Sequence, residues 1–144
     1  MKKELFKSLI ALKQSEIPFD VIERDLELPI NRKKIITIPG VRRCGKSTMM
    51  EIAINHLVKE GVLWLGFDDE RLTVLSTDEF DEIISAYMEL FPNIPIKDVY
   101  MFFDEIQLVK NWEYFVLRLY KSYCKNIFVC GSNATMLSTE LASV

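Results

Sequence analysis

Two short stretches of this chain combine residue types and spacing that can do chemistry. The first is Gly40-Val41-Arg42-Arg43-Cys44-Gly45-Lys46-Ser47-Thr48, which matches the pattern G-x-x-x-x-G-K-[S/T]. Its glycines let the backbone fold tightly enough for successive N–H groups to point at one anion. A helix opening at Lys46 adds its own unsatisfied N–H groups and its dipole. Lys46 then reaches the outer phosphates of a nucleoside triphosphate, the Ser47 hydroxyl ligates Mg²⁺, and Thr48 is placed for a contact near the α-phosphate. Arg42 and Arg43 read either as solvated loop arginines or as phosphate or partner contacts, and Cys44 as a small filler.

The second stretch is Val99-Tyr100-Met101-Phe102-Phe103-Asp104-Glu105, an apolar run ending in two carboxylates. In a doubly wound sheet, ligands gather at the C-terminal ends of the strands. Asp104 is therefore expected near a metal held by Ser47, and Glu105 is expected to orient and polarise the water that attacks a γ-phosphate. Alone, two acids after a strand are as readily a solvated turn. Downstream of a phosphate cradle they become a metal-and-water pair.

A third tip, Cys130-Gly131-Ser132-Asn133, ends a later apolar run. In P-loop folds with a glutamate beside the metal-binding aspartate, that strand lies between the first and third, so its tip faces the γ-phosphate. Ser132 or Asn133 can hold the attacking water or sense the phosphate there. Either can also simply cap the next helix.

Positioning these groups requires a particular set of elements. Leu5, Leu9, Ile10 and Leu12 recur at helical spacing over about 3–13. Val21 to Leu28 is ambiguous between a short strand and a turn, and 29–32 reads as a linker. From there strands and helices alternate. Residues 34–38 form a β-branched strand, 47–59 a helix stopped by Gly61, and 62–67 a strand. A helix follows over 78–91, then a strand over 99–103, a helix over 112–123 and a strand over 126–130. This βαβ series implies a parallel sheet covered on both faces. The expected fold is α/β, a P-loop NTPase three-layer αβα, with an added strand between the phosphate-cradle strand and the acidic strand. Residues 1–30 read as an N-terminal helix and linker, and 31–144 as the core.

Composition narrows the class. With 144 residues, 49% apolar and 27% charged, the chain can bury one core. A net charge of −3 gives no overall basic field for nucleic acid, although a local patch remains open. Three cysteines without a Cys-x-x-Cys pair and a single histidine argue against a zinc site and for reduced thiols. No stretch approaches the roughly 20 apolar residues that span a bilayer, so the expectation is a cytoplasmic protein without membrane contact. His56 reads as a partly exposed structural residue, Asp68-Asp69-Glu70 as a solvated turn, and Trp64 and Trp112 as packing residues.

Taken together, residues 38–48, Gly66-Phe67-Asp68-Asp69-Glu70-Arg71-Leu72, Phe103-Asp104-Glu105-Ile106-Gln107 and Cys130-Gly131-Ser132-Asn133 resemble a family. It is the bacterial and archaeal AAA+-type ATPases with a Gly-x-Arg-Arg-x-Gly-Lys Walker A and an Asp-Glu-Ile-Gln Walker B. The resemblance runs in order from about Arg24 onward. It implies ATP and Mg²⁺ as cofactors and an ATP-hydrolysing enzyme. Such proteins continue past the segment Ser138-Thr139-Glu140 into a Gly-Arg segment, a fifth strand and a further C-terminal domain. The resemblance therefore implies that this chain is part of a longer protein. It also implies that an arginine finger comes from that stretch or from a neighbouring copy in a homo-oligomer. No Asn-Lys-x-Asp motif occurs to read guanine, which favours adenine by exclusion. A non-hydrolysing nucleotide switch or interaction module is the main alternative. A small-molecule kinase lacks any sign of an acceptor pocket or lid. Whether the partner is protein or DNA is left open.

Overall fold

Strands that are apolar on both sides of their pleat have to be covered on both faces, and the helices of this chain divide accordingly. The computed structural model describes residues 2–19, 35–39, 46–57, 61–72 and 75–131. In chain order these form α1 (Lys2–Gln14), β1 (Ile35–Pro39), α2 (Lys46–Leu57), β2 (Val62–Gly66), α3 (Thr77–Leu90), β3 (Tyr100–Asp104), α4 (Trp112–Ser122) and β4 (Ile127–Gly131), with single 3-10 turns at Ile96–Asp98 and Ile106–Leu108. The strand order is β1-β4-β3-β2 and every pairing is parallel. This is the expected three-layer α/β arrangement, with β4 inserted between β1 and β3.

The alternation within each strand sorts the core into two layers. Ile35, Leu63, Leu65, Met101, Phe103, Ile127 and Val129 point to one face, where they meet Phe6, Leu9 and Ile10 of α1, Phe80 and Ile83 of α3, and Phe115 and Leu119 of α4. The intervening residues Val62, Trp64, Tyr100, Phe102, Phe128 and Cys130 meet Met50, Ala53, Ile54 and Leu57 of α2 on the other face. Within this second layer Phe102 and Phe128 stack with ring centroids 4.6 Å apart. Period-2 patterning thus decides which side of the sheet each residue serves.

Among the described residues the seven alternating strands and helices expected from residue 34 onward form, as does the N-terminal helix, with ends displaced by a residue or two. The β3 ladder extends to Asp104, which pairs in register with Gly66 on one side and Cys130 on the other. The Phe67 N–H donates to the Asp104 carbonyl at 2.8 Å and closes that end. Gly61 starts β2 at φ 103, and an added Cβ there would sit 2.8 Å from Ile94 Cγ2. Both the backbone angle and the space call for glycine. At the head of α3, the Ser76 N–H donates to Glu79 Oε1 at 2.8 Å, which satisfies the chain at the helix entrance.

The N-terminal segment reaches both layers. α1 packs on β2 and α3, and Glu89 of α3 pairs with Lys3 at 2.7 Å and with Lys7 at 2.6 Å. Beyond α1 the chain passes the β2 edge, where Gln14 Nε2 donates to the Val62 carbonyl and Trp64 Nε1 to Glu16. It then docks on α2: the Phe19 N–H donates to Asn55 Oδ1 at 2.8 Å, and Asn55 Nδ2 donates back to the Phe19 carbonyl at 3.0 Å. Phe19 also meets the Trp64 ring edge-on. This crossing shields an otherwise open strand edge. Residues 21–32, and with them the expected boundary at residues 30–31, lie outside the described residues.

The Glu89 contact gives the fold a pH signature. Hydrogen bonds from Lys3 and then Lys7 draw the Glu89 carboxyl down to about 2, whereas an unfolded glutamate titrates near about 4.3. Because the folded value is the lower one, the stabilisation is complete above the unfolded value. It is lost as pH falls from there toward the folded value. Urea unfolding across this range should show stability declining, and Glu89→Gln should lower stability at neutral pH while flattening the decline. An unaltered pH slope in that variant would show that the contact contributes nothing.

Candidate functional site at the C-terminal edge of the sheet

All four strands run parallel, so their C-terminal ends form one edge, and the two carboxylates of the acidic stretch close β3 at that edge. Asp104 has the parity of Tyr100 and Phe102, which places it on the α2 side of the sheet. It lies level with Cys130 of β4, which in turn lies level with Ile38 of β1. β1 ends at Pro39, and Lys46 is the first residue of α2. α2 covers the face of the sheet that Asp104 occupies.

Electrostatics report the same proximity. The Glu51 carboxyl, on α2, is pushed above the ordinary carboxylate range by burial first, then by the charge of Glu16, then by that of Asp104. The Asp104 carboxylate is thus within Coulombic reach of α2 about one turn beyond its start. Desolvation and like charge act in the same direction on Glu51.

Glu105 is placed differently. It is 3% exposed, the buried charged residue of the described core. Its backbone is left-handed, at φ 53 and ψ 39. Asn111, at φ 63, shares that conformation, but asparagine tolerates it and glutamate does not favour it. Holding a non-glycine residue there costs roughly 1–3 kcal/mol and points to a local constraint. Past Glu105 the chain makes a 3-10 turn, with the Leu108 N–H donating to the Glu105 carbonyl at 3.2 Å. Ile106 anchors the turn in the core. The turn brings Gln107 back over the carboxylate, so that Gln107 Nε2 donates to Glu105 Oε1 at 2.8 Å.

Gly40, Val41, Arg42, Arg43, Cys44 and Gly45, together with Ser132 and Asn133, lie outside the described residues. Lys46, Ser47 and Thr48 begin α2, but their side chains also lie outside. The structure thus places Asp104 and Glu105 and the backbone around the expected cradle. The turn at Asp68-Asp69-Glu70 is solvated, as expected: Asp69 takes a forked contact from Arg71 at 2.7 and 2.9 Å, and that contact draws its carboxyl down to about 2. Trp64 and Trp112 are buried packing residues and His56 is exposed. A surface hollow of about 870 Å³ lies between Asn93 and Asn126, lined by Tyr100 and Lys125. Its walls come from the chain just before β3 and β4, the opposite end of the sheet from the carboxylates.

A family model described as an AAA domain matches residues 32–144. This chain belongs to the AAA domain family. Nucleotide-dependent ATPase chemistry is the general property of AAA domains. Among its relatives are an uncharacterized protein of Methanocaldococcus jannaschii, 40% identical over 99% of this chain and 31% of that one. Another is an uncharacterized protein of Haemophilus influenzae, 35% identical over 76% of this chain and 28% of that one. The AAA chain thus spans less than a third of the length of these curated relatives. A solved structure of C. elegans PCH-2 covers 91% of this chain and 35% of its own, at 16% identity and a TM-score of 0.44. Among the described residues, no helix is long and apolar enough to cross a membrane.

Mg²⁺ fits the donors present in the AAA chain. Among the described residues no group of three or more His, Cys, Asp or Glu could hold a metal. Mg²⁺ needs no such cage, because it is commonly held by one or two carboxylates with substrate phosphates and water. Asp104, a partly exposed carboxylate at the end of β3, suits that mode.

Thiol chemistry does not suit the described cysteines. Cys124 and Cys130 are buried, and burial pushes the Cys124 thiol up to about 11. The thiolate is the reactive form. Iodoacetamide at neutral pH should therefore leave Cys124 unmodified in the native protein and label it only after denaturation, as read by peptide mass mapping. Rapid native labelling would contradict the buried placement.

Proposed function

We propose that this AAA chain binds Mg²⁺-ATP at the C-terminal edge of its sheet and hydrolyses it. The observation that carries the reading is the pairing of two differently placed carboxylates at the end of β3. Asp104 is half-exposed and in electrostatic reach of α2, while Glu105 is buried and held. In this reading the loop Gly40–Gly45 and the α2 N-terminus cradle the phosphates, Lys46 draws charge from the β- and γ-phosphates, and Thr48 sits near the α-phosphate. Ser47, one helical turn before Glu51, and Asp104 hold Mg²⁺, Asp104 through a water. The metal supplies charge neutralisation at the phosphate oxygens. Glu105 orients the attacking water, and Ser132 or Asn133 at the β4 tip holds that water or senses the phosphate. Phosphoryl transfer asks the protein mainly for positioning and electrostatic stabilisation, which these residues would provide.

An arginine finger from a neighbouring copy completes the proposed site, because Arg42 and Arg43 belong to the cradle itself. Homo-oligomerisation is part of the proposal, and the force or signal that hydrolysis drives passes to a protein or DNA partner. A non-hydrolysing nucleotide switch is the second reading.

The two readings separate in a titration of ATP binding set beside phosphate release. Glu105→Gln should bind Mg²⁺-ATP with an affinity close to the parent while turnover drops on the order of a hundredfold or more. Lys46→Ala should lose most of the binding. Turnover at the parent rate in Glu105→Gln would remove the role given to Glu105. Tight binding with no phosphate release in the parent would favour the switch.

A further inference from the structure

Gln107 is the polar residue of the Asp-Glu-Ile-Gln stretch whose side chain the proposed hydrolysis leaves without a role, and its surroundings are unusual. Its Nε2 donates to Glu105 Oε1 at 2.8 Å. A carboxylate only accepts hydrogen bonds, so the amide must present its nitrogen to Glu105 and turn its oxygen away. That oxygen, Gln107 Oε1, is buried and has no hydrogen-bond partner among the described residues. A buried acceptor left unpaired costs about 1–3 kcal/mol. Gln107 is half-exposed as a residue, and a side chain serving only its own hydration would rotate that oxygen outward. It is held instead where the carboxylate requires it.

The backbone is committed to the same end. Glu105 occupies the left-handed region, and the turn that follows is what brings a residue two positions on back over its side chain. Ile106 fixes that turn in the core. Two unfavourable terms, the left-handed glutamate and the orphaned amide oxygen, are thus accepted two positions apart and produce one contact. A tightly placed carboxylate is what a water-orienting glutamate needs, since small misplacement of a reacting group is expensive in rate.

The geometry points to Gln107 as the positioning residue for Glu105: its amide N–H ties one carboxylate oxygen and so fixes the direction in which Glu105 addresses the attacking water. The inference rests on the hydrolysis reading above. Gln107 touches neither nucleotide nor metal in this account and acts only through Glu105.

The test is a double-mutant cycle on the protein, with Mg²⁺-ATP turnover and ATP affinity measured in parallel. Gln107→Met keeps length and packing but removes the N–H. It should lower kcat on the order of tenfold to a hundredfold while the ATP dissociation constant stays within about twofold, since uniform binding is untouched. Gln107→Asn keeps the amide but shortens its reach by one methylene, and should lower kcat in the same direction. It also serves as the second variant if the methionine disturbs the turn. In the Glu105→Gln background, Gln107→Met should produce no further loss, because residues acting as one unit are non-additive. A Gln107→Met enzyme within about threefold of the parent, or an equal loss in both backgrounds, overturns the inference. Failure of the hydrolysis reading looks different: the parent shows no turnover, or Glu105→Gln matches the parent, and the inference falls with it.

Discussion

The insertion of β4 between β1 and β3 sets the dimensions of everything at the C-terminal edge of this sheet. Neighbouring strands lie about 4.8 Å apart, so the ends of β1 and β3 stand roughly 10 Å apart with the β4 tip between them. That tip carries Cys130, level with Asp104 of β3, and Gly131, level with Pro39 of β1. The layered core enforces the insertion. Phe128 stacks on Phe102 beneath α2, while Val129 and Ile127 fill the opposite layer beside Phe103 and Met101. A register slip of one residue would exchange the two layers and move Asp104 away from α2.

Within that frame the two adjacent acids diverge because one belongs to the strand and the other to the turn. Asp104 ends the ladder, its carbonyl taken by the Phe67 N–H, and its side chain keeps solvent contact on the α2 side. Glu105 reverses the chain in a left-handed conformation and is carried into the core edge, where Gln107 meets it. Neighbouring carboxylates with separate environments are what metal binding and water activation ask for, since the first benefits from hydration and the second from fixed orientation.

Much of this was legible in the sequence, for identifiable reasons. Strands buried on both faces read as continuous apolar runs, so β2, β3 and β4 announced themselves, and Gly61 and Pro92 marked helix ends. The ends drifted where a polar residue continues a ladder, as Asp104 does, because side-chain polarity says nothing about backbone pairing. The amphipathic stripe of α1 showed that it must be covered but not by what. Its partners on α3 and β2 are more than 45 residues away, and the Lys3–Glu89 contact carries no local signal. Asp104 and Glu105 were found by composition and order. The Gln107–Glu105 contact was not, because it exists only once Glu105 adopts a conformation that its residue type disfavours. The phosphate loop and the Ser132-Asn133 tip were as clear in sequence as any feature, and they lie outside the described residues.

The central claim is that the carboxylate edge, with the loop from β1 to α2, is where Mg²⁺-ATP sits. A crystal structure of the Glu105→Gln protein with Mg²⁺ and ATP measures this directly. The account predicts the metal at Asp104 with one water between them, roughly 4 Å from metal to carboxylate oxygen, and the γ-phosphate over the β4 tip. Nucleotide bound in the hollow between Asn93 and Asn126, or a metal remote from Asp104, would contradict it.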